Sequence, residues 1–161
     1  MDPGITIRNG TPEDYETIIG VMPMWWDGRD LTHMIMKLFF YHFKDTIFIA
    51  EKEGELTGFL VGFLSQSAAD QGYIHFAGVH PDHRKAGLGR TLFQNFFNIC
   101  KQHGRNVVRS CTSPINKQSI AFHQRMGFDI LPGDSEIDGL PVTTDYHKKN
   151  DTPKVLFRKV L

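Results

Sequence analysis

Residues 79 to 90 read Val-His-Pro-Asp-His-Arg-Lys-Ala-Gly-Leu-Gly-Arg. Three basic residues, Arg84, Lys85 and Arg90, surround two glycines separated by one position. This chemistry suits an anion with several oxygens. Glycines let a phosphate approach the backbone, and the first N–H groups of a following helix have no partner of their own and carry the positive end of the helix dipole. Arg84, Lys85, Ala86, Gly87, Leu88, Gly89 and Arg90 are therefore the candidate phosphate-facing residues. A Walker loop would need Gly-x-x-x-x-Gly-Lys-Ser/Thr, which the chain lacks. A dinucleotide fingerprint would need a third glycine where Leu92 stands.

The loop works only if a strand delivers it and a helix follows. Tyr73 to Val79 reads as the strand. Leu88, Leu92, Phe93, Phe96, Phe97 and Cys100 recur at three- and four-residue steps, as on one face of a helix. Upstream, Ile5 to Arg8 alternates as an edge strand. Thr11-Pro12-Glu13-Asp14 starts a helix that runs to about Val21, with Thr11 as cap and Asp14 as its capping-box partner. Pro23, Asp27 and Gly28 predict a loop, and a second helix is expected from Arg29 or Asp30 to Phe43. Strands follow at Thr46 to Glu51 and Leu56 to Ser65, with Gly54 in the turn between them. Asn106 to Cys111 and Lys154 to Val160 read as further strands. Residues 129 to 152 are polar, rich in Gly, Pro and Asp, and show no strong pattern.

The 161 residues suggest one domain spanning 1–161. Lys plus Arg and Asp plus Glu number 18 each, so no global field argues for nucleic acid. No apolar stretch approaches a membrane span, and no signal peptide opens the chain, which makes a cytoplasmic location the expectation. Cys100 and Cys111 read as reduced core thiols. His80 and His83 lack a cysteine or carboxylate cluster at ligand spacing, so no metal is expected.

A second set of residues lies one strand later. Ser113-Pro114-Ile115-Asn116 leads into Ser119-Ile120-Ala121-Phe122-His123-Gln124-Arg125-Met126-Gly127-Phe128. Asn116 suits a helix cap and Gly127 a helix stop. Arg-x-x-Gly-x-Gly in Arg84 to Gly89, followed by this Asn and the closing Gly-Phe, resembles the GCN5-related N-acetyltransferases. The resemblance covers Ile5 to Leu161 and is most specific over 73–128. It implies an α/β fold of the mixed, α+β kind, with a mostly antiparallel sheet splayed at the cofactor strand and flanked by helices. It also implies transfer of an acetyl group from acetyl-CoA to a primary amine of a small molecule or peptide.

Under this resemblance, Val79 would present backbone to the acetyl-pantetheine arm at a bulge eased by Gly78. Asn116, Ser119 and Phe122 join the loop as cofactor-binding residues. The family often places a tyrosine four residues before the closing glycine as acid for the leaving thiolate. Here that residue is His123, as in some branches. Branches acting on aryl-alkyl amines carry a histidine at the place of His75, which makes it the candidate base. Strand alternation puts Tyr73 on its face as a possible relay, and puts Val79 there too, about 13 Å away at roughly 3.3 Å per residue. In Met22-Pro23-Met24-Trp25-Trp26-Asp27-Gly28-Arg29, the tryptophans could wall an acceptor cleft with Asp27 or Arg29 as charged anchor. Packing into the core is the other reading for the tryptophans, for His75 and for Tyr73. Ala77 and Gly78 would leave room for a longer acyl chain. The rival to the enzyme is a sensor that binds acyl-CoA or an amine without turnover. Members of the family often dimerise, which makes a homodimer a family-level expectation.

Overall fold

A computed structural model describes residues 1–161. Seven strands form one sheet in the order β1 (Ile5–Asn9), β2 (Ile47–Lys52), β3 (Glu55–Leu64), β4 (Gln71–Val79), β5 (Val107–Thr112), β9 (Val155–Val160) and β6 (Asp129–Ile130). Every neighbouring pair is antiparallel except β4 and β5. Helices α3 (Leu88–Gln102) and α4 (Lys117–Arg125) cover one face. Helices α1 (Asp14–Trp25) and α2 (Lys37–His42) cover the other. A hairpin of β7 (Ser135–Ile137) and β8 (Leu140–Val142) stands outside the main sheet.

The local chemistry explains these elements. Asp14 accepts hydrogen bonds from the Thr11 N–H at 2.7 Å and its hydroxyl at 3.1 Å, closing the turn that leads into α1, which starts at Asp14 and not at the expected Thr11 cap. Glu53 and Gly54, both at positive φ, make the tight turn between β2 and β3. The apolar stripe Leu88, Leu92, Phe93, Phe96, Phe97 and Cys100 is buried throughout, so α3 lies flat on the sheet. Burial pushes the Cys100 thiol up to about 12, and it keeps its proton.

Several expectations need correction. Helix α1 does not stop near Val21. It continues through Pro23, because the residues after it still fold back: Trp26 N–H reaches Met22 O at 3.0 Å. Trp25 is therefore a helical core residue, 1% exposed, rather than a loop side chain. The second helix is much shorter than expected. Asp30 caps a single turn at Thr32–Met34 through the Thr32 N–H and hydroxyl, and Ile35 and Met36 are then extended. Residues 129–152 are not without structure, since they contain the β7–β8 hairpin and a bridge between Thr143 and Lys154.

The bulge in β4 also lies elsewhere. Val61 pairs with Phe76 and Gly62 with Ile74, so His75 is the extra residue. Gly78 sits in regular pairing with Phe59. A Cβ at Gly78 would come 2.4 Å from the Trp26 ring, so its missing side chain makes room for that tryptophan instead. The bulge breaks alternation. Ile74, Ala77 and Val79 pack toward α3, whereas His75 and Phe76 both face α1 and α2. His75 and Val79 are thus on opposite faces.

Candidate active site

Strands β4 and β5 pair only from Gln71–Val107 to Ile74–Ser110. Beyond that point they part, leaving residues 75–79 of β4 without a neighbour on that side. A cavity of about 680 Å³ fills the opening. Its wall includes Ala77, Val79, Gly89, Asn116, Ser119 and Phe122.

The loop ahead of α3 supplies one end. Gly87 caps the helix in the left-handed region at φ +86°. The N–H groups of Leu88, Gly89 and Arg90 begin the helix, and the first return bond is from Thr91 N–H to Gly87 O at 3.0 Å. Lys85, also at positive φ, Ala86 and Arg90 are exposed beside them, whereas the Leu88 side chain is core. Gly89 packs under α4, where a Cβ would meet the Phe122 ring at 3.3 Å. The Arg84 side chain has another task than the expected one. It donates to Val79 O at 3.1 Å and Trp25 O at 2.6 Å, tying the end of α1 to the end of β4. On α4, Asn116 Oδ1 accepts from Ser119 N–H at 3.1 Å and caps the helix. The loop fits a pyrophosphate: free helix N–H groups, no Cβ at Gly87 and exposed cations.

His123 is 6% exposed and stacks on Phe157 at 4.2 Å. Its Nδ1–H donates to Ser119 O at 2.8 Å, and its Nε2 lies 3.1 Å from the Ser110 hydroxyl, whose single proton it shares with Ile74 O at 3.2 Å. Burial, partly opposed by the bond to Ser119, holds its pKa down at about 4. It therefore stays neutral, with its only ring proton committed to a backbone carbonyl. The unfolded chain takes up this proton near the ordinary 6.5 and the folded chain only near 4, so stability present above 6.5 is lost as pH falls toward 4. The loss amounts to about 3 kcal/mol by the conversion of 1.36 kcal/mol per unit. Urea unfolding of His123→Phe across this window is expected to show a flatter acid limb than the parent. An unchanged limb would assign the acid sensitivity to other groups.

On the opposite face a second cavity of about 650 Å³ adjoins the first. Met34, His75, His147 and Asp151 line both, so they stand at the junction. His75 Nε2 bonds to Met34 O, which can only accept. Nε2 therefore carries the proton of the neutral ring, and Nδ1 keeps its lone pair. Burial lowers the His75 pKa below its ordinary value, against the opposing bond to Met34. Tyr73, beneath it, is pushed far above the ordinary tyrosine range by burial, then by the Cys111 thiol and bonds with Tyr146 and Cys111. It keeps its proton. Cys111 Sγ lies 3.2 Å from His147 Nε2, and His147 Nδ1 is 3.9 Å from Asp151. Cys111 is half-buried and not the plain core thiol expected.

All four acceptor-wall candidates, Trp25, Trp26, Asp27 and Arg29, line the larger cavity, with Trp26 packed on Phe59 and Phe76. The smaller cavity is walled instead by Phe39, Arg109, Tyr146 and His147; the run Leu38 to Tyr41 reads from the sequence as core, and the other three are not singled out there. One cue existed for Arg109, a charge within the apolar strand Val107 to Cys111. For Tyr146 and His147 the only cue was an aromatic pair inside a polar stretch. No group of three His, Cys, Asp or Glu side chains is arranged to hold a metal ion, and no helix is long and apolar enough to cross a membrane.

The family model described as "Acetyltransferase (GNAT) family" matches residues 13–128. An L-2,4-diaminobutyric acid acetyltransferase of Nocardia farcinica is 32% identical over 50% of this chain and 42% of its own length. An uncharacterised N-acetyltransferase of Methanocaldococcus jannaschii is 28% identical over 77% of this chain and 60% of its own length. The chain thus spans about half the length of these curated relatives. Among solved structures, Ard1 from Thermoplasma volcanium superposes with a TM-score of 0.78 at 18% identity, covering 98% of both chains.

Proposed function

The chain belongs to the GNAT acetyltransferase family, and from that premise we propose that it transfers an acetyl group from acetyl-CoA directly to a primary amine of a small molecule or peptide. The observation that carries this reading is the meeting of two cavities at His75. One is bounded by a pyrophosphate-type loop and the parted edge of β4, and the other opens on the face of α1 and α2.

The loop of Lys85 to Arg90 holds the pyrophosphate by backbone N–H groups and exposed cations. The free backbone of residues 75–79 receives the pantetheine arm. The acceptor enters from the smaller cavity. His75 Nδ1, alone or through a water, takes a proton from the ammonium, and the amine attacks the thioester carbon. The carbon–nitrogen bond forms and the carbon–sulfur bond breaks. The thiolate of CoA gains the proton that the nitrogen sheds as the amide forms; Tyr73 lines only the smaller cavity, and its raised pKa makes it a poor source of that proton. His123, neutral and doubly bonded, supports packing more than acid catalysis. Cys100 and Cys111, both unpaired, suit a reducing compartment, and we place the reaction in the cytoplasm.

The test is release of free thiol from acetyl-CoA in the presence of a panel of amines, with the acetylated product identified by mass. Amine-dependent release is the expected result. Tight acetyl-CoA binding with no release for any amine overturns the enzyme in favour of a sensor.

A further inference from the structure

Arg109 sits on the central strand β5, in register with Tyr73 on one side and Arg158 on the other. It lines the smaller cavity. Its Nε is fully buried with no hydrogen-bond partner, and no ion pair in the structure includes Arg109 or Arg158. Three other arginines of the chain are satisfied. Arg8 binds the Asp14 and Glu51 carboxylates, Arg84 binds two backbone carbonyls, and Arg105 three. A guanidinium is always charged, and like charges opposite one another on a sheet are unfavourable. Folding therefore holds a cation in a cavity wall where nothing in the protein answers it.

Resting on the acetyl-transfer reading above, we propose that Arg109 binds a carboxylate of the acceptor, so that the preferred substrates are amines that also carry a carboxylate, that is, amino acids. The planar fork of the guanidinium matches a carboxylate by two parallel hydrogen bonds. The same cavity reaches His75, where the amine must arrive, and it carries Asp151, whose carboxylate is shared with Lys154 at 3.8 Å and has a lone pair left to face an ammonium. A zwitterionic acceptor thus meets both signs of charge in one cavity.

Matched pairs test this: L-lysine against cadaverine, L-2,4-diaminobutyrate against 1,3-diaminopropane, L-phenylalanine against phenethylamine. The parent protein is expected to show kcat/KM at least about tenfold higher for the carboxylated member of the pair whose amine reaches His75. In Arg109→Gln this ratio falls to within a few-fold of one, chiefly through KM, and Arg109→Lys retains part of it. Arg109→Gln is expected to melt no lower than the parent, because an unanswered charge beside Arg158 is gone. A parent that favours the decarboxylated member of every pair, or an Arg109→Gln variant with the parent's ratio, overturns the assignment. Thiol release without carboxylate preference sinks this inference alone. Absence of thiol release with every amine sinks the reading beneath it. Calorimetry of the same pairs in the presence of CoA then decides for Arg109: selective binding of the carboxylated members, lost in Arg109→Gln, upholds it, and equal or absent binding overturns it.

Discussion

Gly87→Asp is expected to weaken acetyl-CoA binding at least a hundredfold while leaving the protein folded. Gly87 lies at φ +86°, and a Cβ there would meet nothing closer than the Met1 nitrogen at 3.6 Å. Aspartate is among the residues that tolerate the left-handed region, at a cost of about 1 kcal/mol. The added carboxylate, however, stands beside the free N–H groups of Leu88, Gly89 and Arg90 and the pyrophosphate they would hold. Two unit charges 4 Å apart repel by about 4 kcal/mol at the effective dielectric near a protein surface, before salt screening. Even half of that removes more than a tenfold of affinity for each charge faced. Gly87→Asn separates charge from backbone strain, since asparagine has the same shape and the same tolerance of positive φ. Calorimetry with CoA should find the asparagine variant within about tenfold of the parent. If aspartate and asparagine bind CoA alike, the loop does not hold the pyrophosphate.

The parts of the fold that depend on local periodicity were legible in the sequence. The α3 stripe, the Glu53–Gly54 turn and the Asn116 cap each need only a few neighbouring residues, and each is where its spacing places it, whereas α1 starts at Asp14 rather than after a Thr11 cap. The failures are of another kind. Pro23 ordinarily ends a helix, yet the last turn of α1 survives because Trp25 is wedged among Phe59 and the rest of the core. The second helix is cut short to Lys37–His42 because Asp30 binds its own chain two residues on. Tertiary packing and local side-chain competition outweigh pattern in these places.

The site divides the same way. The loop at 84–90 announces itself, because glycines and charges must be contiguous to bind phosphate. The acceptor side is assembled from Met34, Phe39, Tyr73, Arg109 and His147, which come from four separate elements and a loop and share no spacing. The bulge at His75 was also illegible. It is set by the register between β3 and β4, a long-range property, and one unpaired residue moves every later side chain to the other face.

That bulge changes what is expected of His75→Gln. Counted along a regular strand, His75 would share a face with Val79 and stand far from it. In the structure it turns toward α2, packs edge-on to Phe39 at 5.4 Å, and lies where the two cavities join. Its Nε2 proton is held by Met34 O, so Nδ1 is the atom that can accept a proton from the amine. Its pKa lies below the ordinary 6.5, so the ring is mostly neutral at pH 7, and the acid limb of kcat/KM is expected to have its midpoint below 6.5. Below that midpoint the ring is already protonated and cannot act as base, so the rate falls with pH. Glutamine can keep a bond to Met34 O but cannot take a proton. A positioned base contributes about a hundredfold or more. His75→Gln should therefore lower kcat/KM about a hundredfold at pH 7 and remove this limb, leaving a rate that rises with pH as the amine itself deprotonates. His147 is the control. Burial, followed by the charge on Lys154, also lowers its pKa, and its Nε2 faces Cys111. If the limb persists in His75→Gln and disappears in His147→Gln, the proton leaves through His147, and His75 serves only to hold Met34 and the wall of the acceptor cavity.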